Sequence, residues 1–269
     1  MPEGHTIHRL ALDHRAILLG KAPRVSSPQG KFLGGAALID GLVIKRIEPY
    51  GKHLWYHFDP PGGETRLLHV HLGLFGKWTS GALPAVEPRG ALRMRLTTDE
   101  HWLDLRGPTM CAVETAADRK AVLARLGPDP LRTDADGALA YARISRSRVT
   151  IGALLMNQEI LCGVGNVFRA EVLYRAGLSP FRPGRDLPER LWDDLWEDLR
   201  SLLRAGVRAN RIVTTERADR EQRTGAARRV DAHYVYRRHG QPCRRCGTEI
   251  RTEVMAARNL FWCPTCQPG

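Results

Sequence analysis

The sequence predicts an α+β protein of more than one domain: a strand-rich first part, a helical second part and a small metal-binding module at the C-terminus. Short apolar segments punctuated by Gly, Pro and Asp fill residues 42–105. Beyond residue 118 the apolar positions recur at helical spacing. The C-terminal end holds Cys243, Cys246, Cys263 and Cys266 as two Cys-x2-Cys pairs.

Residues 5–19 read as a helix, because Ile7, Leu10, Ala11, His14, Ile17 and Leu18 share one face and Gly20 can close it. Leu42-Val43-Ile44, residues 53–58, residues 67–71, residues 92–96 and residues 102–105 read as short strands. Turn residues such as Pro60-Pro61-Gly62-Gly63 separate them. Such a succession implies a sandwich or a barrel. Leu126-Gly127-Pro128-Asp129-Pro130-Leu131 is a break. Helices are expected near 151–158, 166–176 and 188–204. The last carries Leu191, Leu195, Leu199, Leu202 and Leu203 on one face, with Asp186 and Glu189 as a capping box ahead of it. Residues 209–232 are Arg-rich and poor in apolar residues, and read as a flexible connection. The expected domains are 1–120, 121–230 and 231–269.

At 269 residues with 43% hydrophobic content, the chain can bury real cores. No run approaches the ~18 apolar residues of a membrane helix, so no membrane partner is expected. The start Met1-Pro2-Glu3-Gly4-His5 lacks the basic-then-apolar pattern of a signal peptide, which points to the cytoplasm. Lys and Arg outnumber Asp and Glu by 41 to 29, for a net charge of +12. That field attracts polyanions, nucleic acid first among them.

The cysteine spacing carries the sharpest chemistry. Each pair presents two thiolates from a tight turn, and two pairs close a tetrahedral zinc site with no open position, so the metal is structural. Cys111 and Cys162 read as buried, apolar-like thiols. Arg237, Arg238, Arg244, Arg245, Arg251 and Arg258 surround the module and suit phosphate contact or a solvated basic face. Pro2 becomes a secondary amine at the terminus once Met1 is removed. An α-amino group ionises near 7.7–8.0, so more of it is neutral at pH 7 than of a lysine. Such an amine can attack C1′ of a sugar, with Glu3 beside it for proton transfer. Gly163-Val164-Gly165-Asn166 is either an ordinary helix–helix turn or a phosphate-receiving helix start, with Asn166 a favoured N-cap.

In order along nearly the whole chain, these features resemble the formamidopyrimidine-DNA glycosylase/endonuclease VIII family. The matching segments are Pro2-Glu3-Gly4, Gly51-Lys52-His53-Leu54, the 126–131 segment, Gly163-Val164-Gly165-Asn166 with Glu171, and residues 235–267. The resemblance implies an N-terminal β-sandwich with a flanking helix and a helical helix–two-turns–helix domain. A β-hairpin zinc finger would follow, with damaged DNA in the cleft between domains. It implies that Pro2 is the Schiff-base nucleophile and Glu3 the proton donor and acceptor. Lys52 would bind phosphate and assist β-elimination, and Arg258, at the tip of the zinc hairpin, would assist δ-elimination. Arg125 and Asn166 would hold phosphates. Leu74 and Phe75 would form the wedge that fills the space of an extruded base. A monomer, bacterial and associated with the nucleoid, is expected.

The sequence departs from the family pattern at His5 and Thr6, at Gly73 in the wedge and at Leu260 in the hairpin. The Pro-Glu-Gly-His-Thr start looks most like actinobacterial endonuclease VIII proteins, which implies oxidised pyrimidines as substrates. Three alternatives stand beside this reading: the same fold acting on oxidised purines, a damaged-DNA-binding member without catalysis, and an RNA-binding zinc-ribbon protein.

Overall fold

A computed structural model describes residues 2–269. The chain divides into two compact units. Residues up to Glu3 and Ile7–Arg125 form the first, and Gly4–Thr6 with Leu126–Gly269 form the second.

In chain order, the first unit contains α1 (Gly4–Leu18) from Ile7 onward, β1 (Arg24–Ser26), α2 (Leu33–Ile39), β2 (Val43–Tyr50), β3 (His53–Asp59) and β4 (Arg66–His71). They are followed by β5 (Lys77–Ala82), β6 (Leu92–Thr97), β7 (His101–Arg106), β8 (Met110–Glu114) and α3 (Ala116–Ala124). The strands make two antiparallel four-stranded sheets, ordered β2-β3-β4-β8 and β1-β6-β7-β5. Of the two arrangements open to the sequence, this is the sandwich. Alternation explains its core. Leu54, Tyr56 and Phe58 of β3 and Leu68 and Val70 of β4 join Met94, Leu96, Leu103 and Leu105 of the other sheet and Ile7, Ala11 and Leu18 of α1. The opposite face of β3 and β4 therefore carries His53, Trp55, His69 and His71, with His53 paired to His71 and Trp55 to His69. In the second sheet, buried Asp104 is held by Arg95 Nε at 2.7 Å and Arg106 Nη2 at 2.7 Å.

Helix α1 ends as expected, with Gly20 at φ +78° just past its C-cap. Helix α3 opens on a capping box of Thr115 and Asp118, a T-x-x-D signal present in the sequence. Cys162 is fully buried as expected, whereas Cys111 is only partly so. Burial still pushes the Cys111 thiol up to about 12.

The second unit holds α4 (Gly137–Ile144), α5 (Ile151–Leu154), α6 (Asn166–Arg175) and α7 (Glu189–Ala209), then the hairpin β9 (Arg251–Met255) and β10 (Arg258–Trp262). Ile144, Leu154, Phe168, Leu173, Trp192, Leu195 and Leu199 lie in its main core. A smaller cluster of Tyr174, Tyr234, Val235, Ile250 and Phe261 lies under the hairpin.

Three expectations are corrected here. The Asp186–Glu189 capping box does not form. Pro188 is the N-cap of α7, and Asp186 sits in a short 3₁₀ turn two residues before it, out of register for a cap. Asn166 is not an N-cap either, because Gly165 takes that position and Asn166 is the first helical residue. Residues 209–232 are pinned at both ends rather than a loose connection. Thr214 N donates to Ala232 O at 2.9 Å, Thr215 Oγ1 donates to Asp231 O at 2.6 Å, and buried Asp231 accepts Arg228 Nε at 3.0 Å.

Candidate active site and metal centre

The four cysteines converge. Their Sγ atoms all lie within 4.8 Å of one another, with Cys243–Cys266 at 3.8 Å and Cys246–Cys263 at 3.5 Å. A tetrahedral zinc with Zn–S bonds near 2.3 Å requires S–S edges of about 3.8 Å. The donor set and spacing fit zinc. Gly247, at φ +76°, closes the first turn, and its N–H donates to Cys243 O at 3.0 Å. Hydrogen bonds from Thr248 pull the Cys246 thiol down to about 6, favouring the thiolate that a metal needs.

Asn166 and Arg169 fasten the hairpin to α6, and Glu171 fastens the segment that precedes it. Asn166 Nδ2 donates to Asn259 O at 2.9 Å, and its Oδ1 accepts Arg169 Nη2. Arg169 is fully buried and also donates Nη1 to Met255 O at 3.1 Å, beside the hairpin tip. Glu171 Oε1 accepts the backbone N–H of Val235 and Tyr236, both at 2.8 Å. Its Oε2 accepts Tyr234 N–H at 2.7 Å and the Thr214 hydroxyl. Sequence reasoning misses Arg169, although its i+3 offset from Asn166 puts it on the same helix face. Ala256 and Ala257, both with positive φ, form the hairpin tip, and half-buried Arg258 follows as the first residue of β10. The same unit contains a cavity of about 580 Å³ whose walls include Arg211, Arg229, Arg237, Arg238, His233 and Tyr236.

At the N-terminus, Glu3 is buried and is the N-cap of α1, and Pro2 is half-buried. Gly4 N–H donates to Gly163 O at 2.8 Å. A Cβ on Gly4 would stand 3.1 Å from both Cα and O of Gly163, so any other residue would have to push the Gly163 backbone back by a few tenths of an ångström. The departure at position 5 has a packing role: the His5 ring meets Phe168 edge-on at 5.3 Å and fills the space over Gly206. Burial depresses its pKa to about 4, leaving it neutral.

Lys52 occupies the turn between β2 and β3, after Gly51 at φ +56°. Next to it stands a hydrogen-bonded chain that sequence reasoning also misses. His53 Nδ1 lies 2.8 Å from His69 Nε2, and His69 Nδ1 lies 2.7 Å from Glu114 Oε1. The Trp55 indole N–H donates to Glu114 Oε2 at 3.3 Å. The His53 ring is 4.9 Å from that of His71. Burial first, then the nearby basic groups His71, His69, Lys52 and Arg125, lower the His53 pKa to about 3. Arg125 itself is exposed at the C-cap of α3. Leu74 and Phe75 project from the β4–β5 turn at 43% and 86% exposure, an unusual placement for such side chains. Gly73 begins that turn at φ +66°, where a Cβ would fall 1.8 Å from Thr109 Oγ1, so a longer residue there would be strained and would have to displace the Thr109 side chain.

Three family models match the chain. They describe the formamidopyrimidine-DNA glycosylase N-terminal domain over residues 1–111, its H2TH domain over 126–218 and the zinc finger found in FPG and IleRS over 240–269. Endonuclease 8 1 of Mycobacterium tuberculosis is 46% identical over 271 residues, covering 99% of this chain and all of its own. Formamidopyrimidine-DNA glycosylase of Geobacillus kaustophilus is 30% identical, covering 86% and 84%. Among solved structures, the MutM (Fpg) protein of Thermus thermophilus matches with a TM-score of 0.79 and 29% identity over 99% and 98% of the two chains. The Lactococcus lactis Fpg in complex with DNA containing an abasic site matches with a TM-score of 0.82 and 19% identity over 99% and 100%, a likeness of fold. The four-cysteine cluster thus coincides with a zinc-finger model, and it holds one structural zinc. With three domain models in series and relatives aligned from end to end, the chain belongs to the formamidopyrimidine-DNA glycosylase/endonuclease 8 family of DNA-repair glycosylases and lyases.

Proposed function

We propose that this protein excises oxidised bases, pyrimidines in the first place, from damaged DNA and then cleaves the strand by β,δ-elimination through a Schiff base on Pro2. The observation that carries the reading is the fixed N-terminus. Gly4 is pinned by its backbone bond to Gly163, so the Pro2–Glu3 pair ahead of it is held rather than frayed. The pyrimidine preference is supported by 46% identity to a protein named endonuclease 8 1.

With Met1 removed, the neutral Pro2 amine attacks C1′ while Glu3 manages the protons of base departure and ring opening. A proline nitrogen has a single N–H, so the adduct is a charged iminium. That charge acidifies the C2′ proton, and strand cleavage follows. Lys52 and Arg258 stabilise the phosphates expelled in the two eliminations. Asn166 and Arg125 hold flanking phosphates. The Asn166 amide already serves Asn259 and Arg169, so it offers its second Nδ2 hydrogen, aided by the positive end of the α6 dipole. Leu74 and Phe75 fill the gap left by the extruded base. The zinc holds the hairpin and takes no part in the chemistry. The protein acts as a monomer.

Borohydride reduction on duplex DNA with an oxidised pyrimidine tests this reading. A covalent adduct mapped by peptide mass spectrometry to Pro2 is expected, together with faster excision of oxidised pyrimidines than of oxidised purines. An adduct mapped to Lys52 with Pro2 unmodified overturns the nucleophile. Faster release of purines overturns the substrate class.

A further inference from the structure

Glu114, His69 and His53 lie on one face of a sheet, on β8, β4 and β3, and their hydrogen bonds have a direction that can be worked out. The Trp55 indole is a donor only, so Glu114 Oε2 must accept from it at 3.3 Å. An ionised carboxylate has no proton to give, so Glu114 Oε1 also accepts, from His69 Nδ1–H at 2.7 Å. Burial keeps His69 neutral against the pull of Glu114, which leaves its Nε2 as a lone pair. That lone pair accepts the His53 Nδ1–H at 2.8 Å. The remaining nitrogen of His53, Nε2, is therefore bare. The His53 ring is also stacked on Trp55, with centroids 5.5 Å apart, and next to His71, which fixes its plane. A half-buried acid orienting one imidazole, which orients a second, is more than sheet-face packing requires. His69 is completely buried, and an unconnected polar ring there would be costly.

We propose that Glu114 and His69 are positioning residues that hold His53 Nε2 unprotonated beside Lys52, and that this nitrogen takes the proton lost from C2′ in the strand-cleaving elimination. The proposal rests on the reading of this chain as a lyase that forms an iminium at Pro2. In the step, the C2′–H bond breaks and its proton goes to His53 Nε2. The electron pair forms C1′=C2′ and neutralises the iminium nitrogen. The resulting enamine returns that pair as C2′=C3′, the C3′–O bond breaks, and the phosphate leaves with the bonding electrons. The imidazolium formed on His53 is stabilised through His69 by Glu114.

The surrounding charges match this role. The groups around His53 are Lys52 before it on the β2–β3 turn, His69 and His71 on β4, Glu114 on β8 and Arg125 at the end of α3. Arg119 of α3 lies over the Trp55 ring and is engaged by Glu48 of β2. Without DNA, the cations outweigh Glu114 and His53 is a weak base. A phosphodiester at Lys52 supplies the missing negative charge, so the basicity of His53 rises as substrate arrives.

Single-turnover cleavage of a preformed abasic duplex, followed across the neutral pH range with borohydride trapping in parallel, tests the proposal. His53→Ala should cleave about 100-fold more slowly near pH 7, a magnitude typical of a lost general base, while the adduct at Pro2 forms as in the parent. Free imidazole should restore part of the rate. Glu114→Gln, which removes the anchoring charge, should move the acidic limb of the pH profile to lower pH and reduce the plateau. Cleavage by His53→Ala within roughly threefold of the parent overturns the proposal. So does a loss that is equal at all pH values and unresponsive to imidazole, since that is the signature of a packing role. If the parent itself forms no Pro2 adduct, the lyase reading falls and takes this proposal with it. If the parent traps normally and His53→Ala cleaves normally, the relay alone falls.

Discussion

Glu171→Ala removes one carboxylate and leaves three backbone N–H groups, of Tyr234, Val235 and Tyr236, without their acceptor. All three residues are buried, and Glu171 is fully so. A buried amide left unsatisfied costs about 1–3 kcal/mol. Water entering the vacated volume recovers part of this, so the expected loss is roughly 3–6 kcal/mol. A unit of this size has a total stability on the order of 5–15 kcal/mol, so the variant should be close to unfolding in that part. Glu171→Gln keeps one oxygen for two of the amides and turns a donor toward the third, so its loss should be about 1–3 kcal/mol. Urea unfolding by circular dichroism measures the loss, and zinc release to a chromophoric chelator locates it. The anchored residues lead directly into Cys243, so zinc should leave the Ala variant faster. A Glu171→Ala protein that unfolds within about 0.5 kcal/mol of the parent and keeps its zinc refutes the reasoning.

Cys263→Ser, or metal removal by a strong chelator, should loosen the hairpin and weaken DNA binding while the sandwich stays folded; hydrogen exchange resolves the two parts. Phe75→Ala should slow excision from duplex DNA without shifting the melting temperature, because the ring is 86% exposed; a matching loss on single-stranded substrate would argue against a wedge. Arg258→Ala should lower the salt slope of DNA affinity by about 0.9, the share of one phosphate contact, with no change in base preference. Stability should fall as the pH drops from about 6.5 toward 4. Burial depresses the pKa values of His5 and His14 to about 4, so the unfolded chain takes up protons in that window and the folded chain does not. His14→Phe should flatten this dependence, and an unchanged slope would remove His14 as a cause.

Periodic features are legible in the sequence. Strands β2, β3, β4, β6 and β7 and helices α1, α6 and α7 announce themselves through apolar spacing that a local window captures, whereas β1, β5 and β8, short or largely unburied, do not. Helix α2 does not, because Gly34 and Gly35 depress its propensity and only Ala36 and Ile39 are buried. The pinned segment 209–232 looks loose because its restraints are single bonds to distant partners rather than a repeated pattern. The same contrast divides the site. The cysteines are readable because four ligands fall into two tight turns of the same Cys-x2-Cys form. The His53–His69–Glu114 chain is not, because its members are 16 and 45 residues apart and meet only once strand register is fixed. The alternation His53-x-Trp55 and His69-x-His71 is the available hint, and it becomes informative only when β3 and β4 are known to be paired.

The fastening of the hairpin to α6 bears on how such proteins can be re-engineered. A finger spanning residues 240–269, matched by its own family model, invites treatment as an interchangeable cassette. Here its interior does not end at its boundary. Arg169 closes it from beneath through Met255, Asn166 holds Asn259, and Glu171 grips the segment 234–236 that leads to the first cysteine. A finger cut at residue 240 would leave behind Asn166 and Arg169, and the donor helix would keep a buried amide and a buried guanidinium deprived of Asn259 and Met255, while the partners of Glu171, all before residue 240, would stay with the helix. Swaps between relatives should therefore succeed only when the helix face and the finger travel together.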